Sequence, residues 1–329
     1  MRNILDDDDF GVMTMTESIN NLQVVPSRIG AMNLFQGGGI SETVVGIEQV
    51  DQELHLIPAA ERGTMPEYGR DQKRVLRAIR VPHLPKNDHI IADSLTNVRQ
   101  FGTNDTVEGV ASVVAAKLQK LRNEHETTWE YHRIGALQGT IKDADGSTTL
   151  IDMFSEFAVT RVTVTWTVAN ANGLKIAAQN IIRKTEEALK LSPYTEIQVM
   201  CGQTFWDALI VNAETKAAFD KFQDGEFLRQ NPFTPFRYAG LAFSELRGKV
   251  GSNPVVPAAE AFSFPVGVPG LYEQAFAPGT FVESVGTIGL PFYAKQATDQ
   301  FGTRVNIHTQ SNPLFLVKRP LVLIKIVQG

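Results

Sequence analysis

The stretch "DTVEGVASVVAAKLQKLRNEHETTWEYHRIG", Asp105 to Gly135, constrains the fold more than any other part of the chain. "DTVE" offers an Asp N-cap with Glu108 three positions on, the reciprocal pattern of a capping box. Val107, Ala111, Val114, Leu118, Leu121, His125, Thr128 and His132 then recur at spacings of four and three, which lines them along one helix face. The spacing predicts a single helix of about 30 residues, roughly 45 Å long at 1.5 Å per residue. Few compact domains need a rod of that length, so the chain must build something extended around it.

The same helix holds the sharpest enzyme candidate, "NEHETTWEYHR", Asn123 to Arg133. A zinc-protease helix places its second His four residues after the first, and position 129 is Trp. His125 and His132 share a face but stand about 10.5 Å apart along the axis, too far for easy co-ligation of one Zn²⁺. Packing and interface hydrogen bonds are the expected role of both. His55, His83, His89 and His308 fall in separate segments, and no nucleophile elbow, phosphate loop or dinucleotide fingerprint is present. No cofactor or metal site is expected.

Composition narrows the class further. A chain of 329 residues, 43% hydrophobic and 20% charged, is that of an ordinary soluble protein with room for two to three subdomains. The net charge of −5 gives no basic field for nucleic acid. A single cysteine, Cys201 in "IQVMCG", excludes internal disulfides and is expected to fill a buried strand position. "MRNILDDDDF" puts four aspartates where a signal peptide needs apolar residues, and "NPLFLVKRPLVLIKIVQG" is too short and too charged to span a bilayer. Folding in the cytosol is expected.

Before the helix, the first sixty residues look poor at folding alone. The Gly37–Gly39 run reads as a flexible turn, because the following Thr43-Val44-Val45 is strand-like and opens no helix. "SETVVGIEQVDQELHLI" alternates as a strand with Val45, Ile47 and Leu54 inward. Residues 61–104 read as a long two-stranded arm, with Val75, Ile79 and Val81 on one face and the turn "VPHLPKND". Such a hairpin is barely stable in isolation and needs a surface to rest on. By count, residues 1–60 carry two Arg against nine Asp and Glu, while residues 61–86 carry seven Lys and Arg against three acids. Opposite charge on two protruding elements favours pairing between neighbours. The candidate inter-subunit contacts are therefore Asp6, Asp7, Asp8 and Asp9 on one element and Arg70, Lys73, Arg74, Arg77 and Arg80 on the other.

After the helix, Asp145-Gly146 marks a hairpin and "TVTWTV" a strand. "NGLKIAAQNIIRKTEEALKL" reads as a helix with Leu174, Ala177, Ala178, Ile181, Ile182 and Leu189 inward. "EIQVMCG" reads as a strand and "QTFWDALIVNAETKAAFDKF" as one further helix. Strands and Pro/Gly-rich loops follow from 233 onward.

These parts in this order resemble the lambda-type major capsid proteins of tailed bacteriophages, the family called major capsid protein E. The stretches that carry the resemblance are "NDHIIADSLTNVRQFG", "RIGALQGTIKDADGSTTLIDMF", "CGQTFWDALI" and "SNPLFLVKRPLVLIKI". The resemblance covers most of the chain from about residue 20. It implies an α+β fold of the Hong Kong 97 type. The N-terminal arm would be 1–55, the extended loop 56–104, and the peripheral domain with its spine helix and hairpin 105–165. The axial domain would be 166–300, with C-terminal strands 301–329 returning to the sheet. The implied function is structural and not enzymatic: a subunit forming hexamers and pentamers of an icosahedral shell around double-stranded DNA, with no sequence-specific binding and no membrane. A separate scaffolding protein, a portal and a decoration or cement protein are the implied partners, and the virion, assembled in the host cytoplasm, is the implied location. No Lys–Asn crosslinking pair is identifiable. The alternatives are an encapsulin-type cargo shell and, from a different class, a metal-dependent hydrolase using His125, Glu126 and His132.

Overall fold

The computed structural model describes residues 12–22, 27–50, 74–91, 106–167, 172–224, 235–250 and 253–329. The chain begins with helices α1 (Val12–Asn21) and α2 (Arg28–Ala31). Strands β1 (Gln36–Gly39), β2 (Val44–Val50), β3 (Arg74–Arg80) and β4 (Leu84–Ile91) lead to the long helix α3 (Thr106–Gln138). The hairpin β5 (Thr140–Lys142) and β6 (Thr149–Asp152), the single turn α4 (Met153–Glu156) and β7 (Val162–Trp166) follow. Next come α5 (Gly173–Leu189), β8 (Glu196–Cys201), α6 (Gln203–Val211) and α7 (Lys216–Asp224). Then come β9 (Phe236–Tyr238), β10 (Leu241–Glu245), the short pair β11 (Lys249–Val250) and β12 (Asn253–Pro254), and β13 (Glu260–Val266). The chain closes with β14 (Tyr272–Phe276), β15 (Tyr293–Thr298), β16 (Arg304–Ser311), β17 (Pro313–Val317) and β18 (Ile324–Gln328).

Helix α3 is 33 residues long, about 50 Å at 1.5 Å per residue. Val114, Leu118, Leu121, His125 and His132 of the expected stripe are buried, with Trp129 in place of Thr128. The indole wins that position because it stacks between Phe276 and Phe292, at centroid distances of 5.0 and 4.4 Å. The candidate N-cap Asp105 lies outside the described residues, as does Leu54.

The largest sheet has six strands in the order β7-β18-β13-β8-β10-β9. Its central strands β8 and β13 are buried on both faces, so alternate side chains serve different cores. Ile197, Val199, Cys201 and Ala261 join Trp166 and the inner faces of α5 and α6. Their neighbours Met200, Phe262 and Phe264 belong instead to the core around α3. Two three-stranded sheets, β1-β14-β17 and β15-β16-β4, complete the second body. Helix α5 buries Leu174, Ala177, Ala178, Ile181 and Leu189 as expected, while Ile182 is half-buried.

Three sequence expectations are corrected. First, the glycine run is strand β1, paired in parallel with β14 through Gln36–Glu273 to Gly39–Phe276. A Cβ at Gly37 would lie 2.0 Å from the Gln274 carbonyl oxygen, and one at Gly39 2.0 Å from that of Gly289. The glycines are there because two backbones press on the strand. Gly38 has nothing within 4 Å of an added Cβ. Alanine at Gly37 or Gly39 should therefore cost about 1–3 kcal/mol in urea unfolding, while Gly38→Ala should be neutral or stabilising by up to about 1 kcal/mol. Equal costs at all three positions would refute this account.

Second, residues 61–104 do not close on themselves as a hairpin in the described part. β3 pairs with β2, setting Ile79 against Val45, while β4 pairs with β16. Pro82 and Pro85 lack the amide donors that a closed ladder needs, and the extended link carries the chain from one sheet to another. Third, the helix expected over Gln203–Phe222 is two helices. The Asn212 backbone is extended at φ −62°, ψ 136°, and its side-chain oxygen accepts the Glu214 amide hydrogen at 2.8 Å. That local bond competes with the helix ladder and stops it.

Candidate intersubunit surface and the latch beneath it

Asp6, Asp7, Asp8, Asp9, Arg70 and Lys73 lie outside the described residues. Arg74 starts β3 in register with Val50. The Arg77 guanidinium donates to the Glu156 carbonyl oxygen and lies 6.0 Å from the Phe157 ring centroid, so it ties the β2–β3 pair to α4 of its own chain. Arg80 ends β3, is exposed, and borders an open recess of about 440 Å³.

The histidines of the hydrolase alternative are interior residues. His125 is 5% exposed and His132 1%. His125 Nε2 lies 3.1 Å from Thr309 Oγ1, and neither ring nitrogen of His132 has a hydrogen-bond partner among the described residues. Burial lowers both pKa values to about 4, against which Glu124 acts at His125 and Asp143 at His132. Glu126 pairs with Arg122 at 3.0 Å, and the Arg122 guanidinium covers the Phe292 ring at 3.7 Å. Among the described residues no three His, Cys, Asp or Glu side chains cluster to hold a metal. The Cys201 thiol is fully buried, which pushes its pKa up and leaves it unreactive.

A block of buried polar residues, Thr309-Gln310-Ser311-Asn312, escaped sequence reasoning. All four are 0–4% exposed, and between them they bind β4, α3 and the loop over residues 277–292. Thr309 Oγ1 donates to the Lys86 carbonyl oxygen on β4 at 3.1 Å. Gln310 Oε1 accepts from the Thr280 hydroxyl at 2.8 Å. Ser311 Oγ accepts the Trp129 indole N–H at 3.0 Å and donates to the Pro291 carbonyl oxygen at 2.7 Å. Asn312 Nδ2 donates to the Pro278 carbonyl oxygen at 2.8 Å, and its Oδ1 meets His83 Nδ1 at 2.7 Å. This latch holds α3, β4 and the 277–292 loop to one strand. The available signal was "HTQSN", a polar run where the flanking residues are apolar.

A second missed residue is Glu130. Its carboxylate accepts from Ser27 Oγ at 2.6 Å, the Ile29 amide at 2.6 Å and the Gly30 amide at 3.1 Å. It thereby caps α2 and fastens the N-terminal segment across α3.

The loop held by the latch exposes several apolar side chains around the Glu283–Lys295 ion pair. Val282, Val285 and Ile288 are 68–86% exposed within a few residues of one another, and Phe301 at the β15–β16 turn is 85% exposed. Isolated exposed apolar side chains are common, but three in one loop form a patch of the kind that marks contact sites.

Residues 11–328 match the model of the family described as phage major capsid protein E. The chain is 24% identical over 345 residues to the major capsid protein of Pseudomonas phage KPP10, covering 96% of both. It is 22% identical over 357 residues to that of Salmonella phage Felix O1, again covering 96% of both. Among solved structures it resembles a candidate capsid protein of a prophage in E. coli CFT073. The TM-score is 0.59 at 13% identity, over 97% of this chain and 99% of that one.

Proposed function

We propose a function that proceeds from one premise: this chain belongs to the phage major capsid protein E family, whose model it matches over residues 11–328. It is a tailed-phage shell protein with an α+β fold of the Hong Kong 97 type. On that premise, copies of the chain assemble as hexamers and pentamers into an icosahedral head around double-stranded DNA. The net charge of −5 supports containment without tight phosphate binding, which would hinder packaging and ejection. The observation that carries the assembly reading is the exposed apolar loop at Val282, Val285 and Ile288, backed by a fully buried polar latch. A rigid apolar surface of that kind serves contact with other copies through repeated heterologous interfaces.

The proposed division keeps an arm at 1–55, an extended loop at 56–104, a peripheral domain at 105–165, an axial domain at 166–300 and returning strands at 301–329. The two separate cores support a peripheral and an axial body. β14 and β15 pair with β17 and β16, which supports counting residues 272–298 with the peripheral body and ending the axial body before them. No catalysis is assigned. A scaffolding protein, a portal and a decoration protein are the proposed partners, the virion the proposed location and the host cytoplasm the proposed place of assembly. The family match favours a phage head over an encapsulin-type compartment, and the burial of His125 and His132 speaks against a hydrolase.

Sedimentation and electron microscopy of the expressed chain, with and without a scaffold, test this directly. Closed particles of hundreds of copies are expected. A fully ordered monomer at every concentration tried would end the shell reading.

A further inference from the structure

The three-stranded sheet β15-β16-β4 has a projecting aromatic ring at one end and an open recess at the other. Phe301 sits in the turn joining β15 to β16, 85% exposed, with Gly302 beside it at φ +67°. Arg304, the first residue of β16, pairs with Ile91, the last of β4. At the opposite end β16 runs into Asn312 and β4 begins just after His83, and both residues line the recess. The eight residues of β16 separate the two features by about 25 Å.

The recess suits an aromatic ring. Its walls include Val81, Pro82, Leu150, Ala277 and Pro278, and Arg80 stands at its border. The Arg80 guanidinium is exposed and makes no ion pair among the described residues. An aromatic face presents negative potential to such a cation. At the ring's end Asp299 and Arg304 form a half-exposed pair at 3.7 Å, so their charges offset and the aromatic face is what meets Arg80.

We propose that Phe301 of one copy seats in the recess beside Arg80 of the next copy, making a head-to-tail contact along the β15-β16-β4 sheets. The ring and its recess lie at opposite ends of one sheet and cannot meet within a chain, so a Phe301 that seats in the recess comes from a second copy. A contact between two different patches of the same molecule is heterologous and propagates, as a shell requires. This inference rests on the shell reading above.

The test uses the full chain. Phe301→Ala should raise the protein concentration for half-assembly about 30-fold, the effect of losing a buried aromatic anchor, while Phe301→Trp should stay near wild type. Because Cys201 is 0% exposed and the chain has no other cysteine, new thiols report cleanly. Oxidised particles of Phe301→Cys/Leu150→Cys should give a covalent ladder beyond dimers, while each single variant stops at dimers. Wild-type particles alongside double-variant particles without a ladder would overturn the contact and leave the shell reading standing. Absence of wild-type particles would overturn both. If the double variant alone fails to assemble, equal assembly by Phe301→Ala and wild type overturns the contact, and the 30-fold loss supports it.

Discussion

Glu130→Ala should lower the stability of the unassembled chain by about 3–5 kcal/mol and release the N-terminal segment, the cost of removing one member of a buried charged network. The carboxylate accepts three hydrogen bonds from Ser27, Ile29 and Gly30, and its loss strands two amide donors at the start of α2. It also sits 3.9 Å from the Arg133 guanidinium, which stacks over the rings of Trp129 and Phe315 and is held from water on both sides. Removing the acid leaves Glu126 as the remaining carboxylate acting on that half-buried cation. Glu130→Gln keeps one acceptor and the volume, so its loss should be smaller. Urea unfolding gives the stability, and hydrogen exchange at the 28–33 amides reports whether α2 comes loose. An alanine variant within about 0.5 kcal/mol of wild type, with unchanged exchange, would show that the anchor does not hold the segment.

The second large effect is with pH. His125 and His132 are buried with pKa values lowered to about 4 from an ordinary 6.5. Between those values the unfolded chain takes up protons at both sites and the folded chain does not. Stability therefore falls as pH drops from about 6.5 to 4, and each histidine costs roughly 3 kcal/mol once pH is below 4. Desolvation is the main cause at both sites. Glu124 on α3 opposes it at His125, with Arg122, Lys86 and His308 reinforcing it; Asp143 after β5 opposes it at His132. His132→Phe tests the cause, because both ring nitrogens there are without partners among the described residues. An apolar ring of similar shape should stabilise the protein at pH 7 and remove its share of the acid loss. A pH profile of unfolding identical to wild type would refute the assignment. His125→Phe should help less, since it abandons Thr309 Oγ1 at 3.1 Å.

The contrast between these histidines shows what the sequence made legible. Their place on the inner face of α3 followed from the three-four spacing, and so did the improbability of a shared metal, because helical rise alone keeps them apart. That one binds a buried threonine 184 positions away and the other binds nothing depended on which strand crosses each turn. The triple glycine misled for a related reason. Locally it reads as flexibility; in the fold it is a strand in which Gly37 and Gly39 carry no side chain because Gln274 and Gly289 occupy that space. The same holds for β3 and β4, whose extended character was plain from alternation while their partners, β2 and β16, were not.

By itself the sequence determined the long helix, the inward faces of α3 and α5, the buried Cys201 strand and, through quoted stretches, the family to which the chain belongs. These depend on interactions within a few residues: spacing sets a face, and a run of apolar residues sets burial. The tertiary structure alone decided the strand order, the polar latch at Thr309–Asn312, the Glu130 anchor, and the placement of Phe301 and its recess at opposite ends of one sheet. The latch and the anchor join residues 20 to 229 positions apart, and no local preference encodes which distant carbonyl a buried hydroxyl will meet. Burial forces each polar group to find some partner, but only the packed fold selects which one.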